Sequence, residues 1–295
     1  TWQSIAYFNN VIDGIRGLGA DDEYARGVIA QAMIGRAWAY MNYTLCYGPA
    51  YDPATANDKK VLPLRTSGDP TQENGPLATT AEIFKQIKED LDYACENAPE
   101  RTLTACRGNK TAAYALRAEY NMYIRDFEAM RADAEKAWSL ALAAEGSVDK
   151  LIYNYSDQNF YYEKVTSVDP GLGEDERLYM EFRGPDTDYN QTTNIELLLY
   201  RNTPSGYSRQ KYYPSEEWNA LFDKDNDWRW LQWAMMAEGF STTIGSDKYQ
   251  DGVVLNYLRD QYMKTTKGST YPLLLLEKAE AEARTGKTSQ ALESL

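Results

Sequence analysis

Two residues, Arg125-Asp126, separate two long runs of helical periodicity, and that spacing constrains the fold more than any other feature of the sequence. Before it, Ala113, Leu116, Tyr120 and Tyr123 recur at intervals of three and four; after it, Phe127, Met130, Ala134, Ala137 and Ala141 do the same. So short a connection forces the two helices to run antiparallel, side by side. Small residues alternating with aromatics on the facing stripes let the helices approach closely.

The rest of the chain supplies partners for this hairpin. From about Tyr24 to Tyr47, Ile34, Trp38, Met41 and Leu45 form one stripe, and Ile29, Met33, Ala37 and Tyr40 form a second beside it. A helix that is apolar on more than one side is buried between neighbours. Gly48-Pro49 ends it. Residues 48–78 carry five prolines (Pro49, Pro53, Pro63, Pro70, Pro76) and read as a long loop without pattern, a kind usually functional or mobile. Thr79 and Glu82 have the spacing of a capping box, and Ile83, Ile87, Leu91 and Ala94 continue as one stripe to Pro99. Near the end of the chain Leu273, Leu276, Ala279 and Ala283 lead through Gly286-Lys287 to Ala291, Leu292 and Leu295. Aligning the two turns sets Ala118 against Ala279 and Met130 against Ala291, which is similar to a tetratricopeptide repeat. Tyr114 fits the repeat's aromatic position and Asn121 departs from its usual Tyr. The last helix reads as cut within a repeat.

The pattern changes over about residues 146–270, which are rich in Tyr, Asp, Gly and Ser. Ile195–Tyr200 reads as a strand or a brief helix, and Ser215 as the cap of a helix through Phe222. The expected fold is therefore mainly α: tetratricopeptide-like hairpins forming an α-α superhelix, with an irregular, loop-rich lobe. A single domain over 1–295 is expected, its scaffold at about 1–145 and 271–295 and its lobe at about 146–270.

Composition removes several functions. Histidine is absent, which excludes Ser-His-Asp and Cys-His catalysis and His-ligated zinc. A net charge of −13 argues against nucleic acid as a partner. No apolar run is long enough to cross a bilayer. Thr1-Trp2-Gln3-Ser4-Ile5 lacks the basic start and apolar run of a signal peptide. Without an initiating Met the chain reads as processed or trimmed, which would hide a targeting or lipidation segment. Cys46, Cys95 and Cys106 form no C-x-x-C pair; Cys95 and Cys106 flank a short turn and could join in an oxidising compartment. Asp223, Asp225 and Asp227 resemble part of a calcium loop but lack its Gly and closing Glu, so a solvated acidic turn is expected. Gly14–Gly19 reads as a flexible loop. No metal, cofactor or catalytic residue is expected.

Aromatic usage is unusual: 24 Tyr and 7 Trp against 7 Phe, a bias toward rings with a polar tip that suit half-exposed surfaces. Sugar rings stack on such side chains, and helical-repeat proteins also use Tyr between helices. A sugar platform needs exposed aromatics with amides or carboxylates nearby. On that basis the candidate ligand residues are Tyr51 and Asp52 in the proline loop; Asn154, Tyr155, Asp157, Asn159, Tyr161 and Tyr162; Tyr189 and Asn190; and Trp230. For the Tyr153–Tyr162 cluster packing and binding both stay open, and packing is the stronger reading for the tryptophans around Trp228-Arg229-Trp230 and Trp233.

The order of segments resembles the SusD/RagB family. Arg36-Ala37-Trp38-Ala39-Tyr40 through Tyr47-Gly48-Pro49 is similar to its early helix and turn, and Val61-Leu62-Pro63-Leu64, Thr79–Ala98 and Lys110–Ala137 follow in family order. Tyr213-Pro214-Ser215, Leu221-Phe222 and Asp227-Trp228-Arg229 are similar to its Pro-Ser…Leu-Phe…Asp-x-Arg stretch, and Leu275–Ala281 with Gly286-Lys287 to its late helix. The turn departs from the family's frequent Tyr-Gly-Gly. The resemblance implies a non-enzymatic, lipid-anchored outer-membrane protein at the cell surface, paired with a SusC-like TonB-dependent transporter and binding an oligosaccharide or other nutrient. The anchoring Cys is not in this sequence. Two other readings remain: a carboxylate-based glycoside hydrolase, and a tetratricopeptide-type scaffold that binds protein.

Overall fold

The computed structural model describes residues 2–72, 77–154, 161–167, 177–183, 194–201, 215–223, 226–227, 235–237, 241–250, 254–256 and 267–295. Its contacts divide the chain into two units, one of Thr1–Tyr153, Asn194–Thr203 and Thr265–Leu295, the other of Asn154–Thr193 and Pro204–Lys264. The single-domain boundaries expected at 145 and 270 differ from this division. Residues 146–153, 194–203 and 265–270 belong with the helices.

The first unit is helical, with α1 (Trp2–Gly17), α2 (Glu23–Tyr47), α3 (Thr80–Asn97), α4 (Lys110–Ile124), α5 (Phe127–Glu145), α7 (Tyr271–Arg284) and α8 (Thr288–Ser294). Each packs on the next: α1 on α2, α2 on α3, α3 on α4, α4 on α5, α5 on α7 and α7 on α8. This is the α-α arrangement that the hairpin spacing demands. A core of Ile34, Trp38, Tyr40, Ile83, Ile87, Leu91, Leu116 and Met130, threaded with buried alanines, runs through it.

Local chemistry explains the boundaries. Asp22 caps α2 by accepting from Ala25 N–H at 2.8 Å. At α3 the capping box closes in both directions: the Thr79 hydroxyl accepts from Glu82 N–H at 3.2 Å, and the Glu82 carboxylate accepts from Thr79 N–H at 2.7 Å. Asn109, Asp126 and Thr270 cap α4, α5 and α7 in the same way. Between α4 and α5, Arg125 adopts a left-handed conformation, φ 63°.

Four expectations are corrected in this unit. Gly14–Gly17 lies inside α1, not in a loop. Ile5, Asn9 and Ile12 are buried along one face of α1, and that burial outweighs the two glycines. Its Phe8 ring lies against α2 where a Cβ on Gly35 would overlap it, so only glycine admits this approach. Within the supposedly patternless 48–78, β1 (Lys60–Pro63) pairs antiparallel with β2 (Leu77–Thr79), with Leu62 buried. Ile195–Tyr200 is neither strand nor helix: Leu197 makes a single bridge to Thr270, and Leu198 and Leu199 N–H both donate to the Ser269 carbonyl. Gly268 is needed there because a side chain would strike the Leu199 carbonyl. Cys95 and Cys106 carry free thiols rather than a bond. Cys95 faces the core from α3, and burial pushes its thiol up to about 12.

The described part of the second unit consists of strand pairs and one short helix. β3 (Tyr161–Ser167) pairs antiparallel with β4 (Arg177–Arg183), β5 (Met235–Ala237) with β8 (Val254–Asn256), and β6 (Ser241–Ile244) with β7 (Asp247–Gln250). α6 spans only Glu216–Asn219, shorter than the helix expected through Phe222. Ser215 does cap it, accepting from Trp218 N–H at 3.2 Å.

Arg125→Gly should raise stability by about 0.5–1 kcal/mol, because glycine takes the left-handed turn without the steric penalty. Chemical denaturation of the two proteins checks this.

Candidate functional site

Four buried charged side chains of the helical unit, Arg36, Asp90, Asp133 and Glu282, are hydrogen-bonded to other side chains. Arg36, 3% exposed on its side chain, donates from Nε to Asp90 Oδ2 at 2.8 Å and from Nη2 to Asp90 Oδ1 at 2.6 Å. Its Nη1 donates to Asn9 Oδ1 at 2.7 Å, and Asn9 Nδ2 donates to the carbonyls of Arg65 and Ser67 at 3.0 and 3.3 Å. Tyr40 pins the same loop, donating to the Arg65 carbonyl at 2.7 Å and accepting from Arg65 N–H at 2.8 Å. Burial pushes its phenol up to about 12. Further along, Arg117 forks onto Asp133 at 2.9 and 2.7 Å and reaches Asp92 at 3.0 Å, while Asn121 donates to Asp133 at 2.9 Å. These networks join α1, α2, α3, α4 and α5.

Of the sequence-nominated residues, Tyr51 and Asp52 fall in the helical unit. The half-buried Tyr51 ring packs on Phe84 with centroids 4.8 Å apart. Asp52 organises its own turn, its carboxylate accepting from Ala54 N–H at 2.9 Å and its carbonyl from Ala56 N–H at 2.7 Å. Asn154 opens the second unit. The backbone of Tyr161 and Tyr162 lies on β3, opposite Arg183 and Phe182. Tyr155, Asp157, Asn159, Tyr189, Asn190 and Trp230 lie outside the described residues. So does Asp225 of the acidic turn; its neighbour Asp223 accepts from Asn226 N–H at 3.2 Å and from Asp227 N–H through its carbonyl at 2.8 Å. Among the described residues no group of three or more His, Cys, Asp or Glu could hold a metal ion.

Sequence reasoning did not anticipate a cavity of about 480 Å³ beside α5, α7 and α8. Trp138, Val148, Leu275 and Leu295 give it apolar walls, and Gln290 and Glu293 a polar rim. Its floor is a closed triad: Lys278 Nζ donates to Glu282 at 2.6 Å and to Ser294 Oγ at 2.7 Å, and Ser294 Oγ donates to Glu282 at 2.7 Å. Trp138 and the triad are 140 positions apart in the chain, from 138 to 278. Only the pairing of α5 with α7 reveals them as neighbours.

The first 121 residues match the family model of SusD-like proteins, described as starch-binding and associating with the outer membrane. Residues 1–121 are similar in sequence to SusD-like proteins. Over the rest of the chain the likeness is one of fold alone. A SusD superfamily protein of Bacteroides vulgatus aligns with TM-score 0.60 at 18% identity, over 98% of this chain and 62% of that one. One from Bacteroides thetaiotaomicron aligns with TM-score 0.57 at 16% identity, over 99% and 63%. A laminarin-binding SusD-like protein aligns with TM-score 0.55 at 16% identity, over 99% and 67%. At such identities the likeness is one of fold. The chain spans 62–63% of the length of the two Bacteroides proteins. No curated protein matches it in sequence.

Lys278→Met removes the cationic partner of Glu282, which is 2% exposed, and leaves it Ser294 alone. It should cost about 2–4 kcal/mol, less than a fully buried pair because Lys278 keeps some solvent contact. Adding Glu282→Leu should recover most of that loss, as urea titrations of both variants would show.

Proposed function

We propose that the chain is a cell-surface nutrient-binding subunit that captures an oligosaccharide and passes it to a SusC-like TonB-dependent transporter, without turning it over. The observation that carries this reading is the SusD-like sequence of residues 1–121 on a chain whose fold follows SusD superfamily proteins along its length. The family description, starch-binding and associating with the outer membrane, and the laminarin-binding relative both support a glycan as ligand. Outer-membrane attachment through a lipid is part of the same proposal. It agrees with a structure in which no described helix is long and apolar enough to cross a membrane.

For the ligand we favour the Tyr- and Asn-rich stretch of Asn154, Tyr155, Asp157, Asn159, Tyr161 and Tyr162, with Tyr189, Asn190 and Trp230 as further candidates. Aromatic faces and amides at this density are what sugar C–H faces and hydroxyls require. The Trp138 cavity has an aromatic wall too, but the polar atoms of its floor are spent on each other. Tyr51 and Asp52 contribute less, since packing and turn formation already occupy them.

A hydrolase would need two carboxyls facing a cleft, on the order of 5–10 Å apart. The carboxyls lining the cavity beside α5, α7 and α8 are Glu282 and Glu293. Glu282 is committed to Lys278 and Ser294, so the two do not form a free acid–base pair.

Calorimetric titration with a panel of starch-, laminarin- and host-type oligosaccharides, with product analysis of the same mixtures, tests the proposal. The expected result is saturable binding without shorter products, weakened at least tenfold by Tyr155→Ala or Tyr161→Ala, which is about 1.4 kcal/mol. Trp138→Ala should leave affinity unchanged. Release of shorter sugars would replace this reading with the hydrolase.

A further inference from the structure

A row of aromatic rings runs outward where α1 begins and α2 ends. Trp2 on α1 faces Tyr43 on α2 with ring centroids 5.8 Å apart, and Tyr43 meets Tyr47 edge-on at 5.2 Å. Trp2 and Tyr43 are half-buried against the core, whereas Tyr47 is 73% exposed. The outermost ring is thus braced from behind and open to solvent. A side chain held in this way gives up little freedom when a ligand stacks on it.

The chemistry of the two segments narrows the ligand. A quarter of the chain's residues are charged, yet residues 2–12 and 37–51 contain no Asp, Glu, Lys or Arg. Neither segment therefore offers a carboxylate to hold a cation or a basic group to hold an anion. α2 also ends here with carbonyls to spare. Gly48 N–H donates to the Thr44 carbonyl at 2.7 Å, and Pro49 has no N–H to offer Leu45. The carbonyls of Leu45, Cys46 and Tyr47 leave the helix without an intrahelical donor, at the negative end of its dipole. Such acceptors disfavour an anion and suit the hydroxyl donors of a neutral sugar. The exposed tyrosine face suits the C–H face of the same sugar ring.

We propose that Trp2, Tyr43 and Tyr47 form a second glycan platform, on the helical unit, where Tyr47 stacks one ring of a neutral glucan and Trp2 and Tyr43 hold it in position. The proposal rests on the reading of the protein as a glycan-binding subunit, and it adds a site remote in sequence from Asn154–Tyr162.

The test is titration of the full chain with maltohexaose and with laminarihexaose, followed by calorimetry and by NMR of tyrosine-labelled protein. The Tyr47 ring signals are those lost in Tyr47→Phe. They should shift saturably with at least one of the two glucans, and half-saturation should stay within about twofold in Tyr155→Ala. Calorimetry should find one site fewer per chain in Tyr47→Ala and the full number in Tyr47→Phe. Because Tyr47 is exposed, Tyr47→Ala should leave the melting temperature within about 2 °C. Galacturonate and glucosamine oligomers of the same length should bind the Tyr47 site at least tenfold more weakly, about 1.4 kcal/mol. Tighter binding of either charged oligomer there would overturn the neutral-glucan assignment. Glucan binding that leaves the Tyr47 signals unmoved, or the site number unchanged in Tyr47→Ala, would overturn the platform and leave the nutrient-binding reading standing. Failure of both glucans to bind at all would also overturn the platform, while the wider oligosaccharide panel decides the nutrient-binding reading separately.

Discussion

The helical unit depends on one ion pair. Arg36 and Asp90 meet by two hydrogen bonds at 2.6 and 2.8 Å, with side chains 3% and 1% exposed. Burying two charges costs more than their attraction returns unless every donor and acceptor is satisfied. Here the surplus is met. Nη1 donates to Asn9 and, at 3.4 Å, to the Thr66 carbonyl; Asn9 hands the connection on to the carbonyls of Arg65 and Ser67, and Gln86 Nε2 donates to Asp90 at 3.0 Å. Three helices and the segment after β1 are thereby held in a single register.

Arg117 with Asp92, Asp133 and Asn121 repeats the device one hairpin further on, and Lys278 with Glu282 and Ser294 repeats it at the last. Small residues bring these helices close enough for such short polar contacts: Ala112, Ala113, Ala115 and Ala118 on α4 are fully buried.

The helices were legible because their signals are local. Thr79 and Glu82 announce the start of α3, and Arg125-Asp126 forces the α4–α5 hairpin. What was missed needed partners remote in sequence. Gly14–Gly19 read as a flexible loop, yet Gly14–Gly17 close α1, a helix whose Ile5 and Ile12 are buried. The β1–β2 pair has too few residues for a period to show, and the irregular run at Leu197–Leu199 is fixed by Ser269 and Thr270, some 70 positions away. The site was less legible than the fold. Aromatic and amide density marks stretches suited to sugars, but it cannot tell a stacking ring from a packing one, as the Tyr51 ring against Phe84 shows.

Arg36 and Asp90 hold the architecture of the helical unit. A double-mutant cycle on Arg36 and Asp90, read by urea unfolding and by oligosaccharide titration of each folded variant, tests this most directly. Asp90→Ala alone should cost about 3–5 kcal/mol, and replacing both residues by apolar ones of similar volume should cost far less, with oligosaccharide affinity unchanged in the double variant. A single substitution that leaves stability intact but abolishes glycan binding would contradict the account, placing the pair in the binding site instead of the frame.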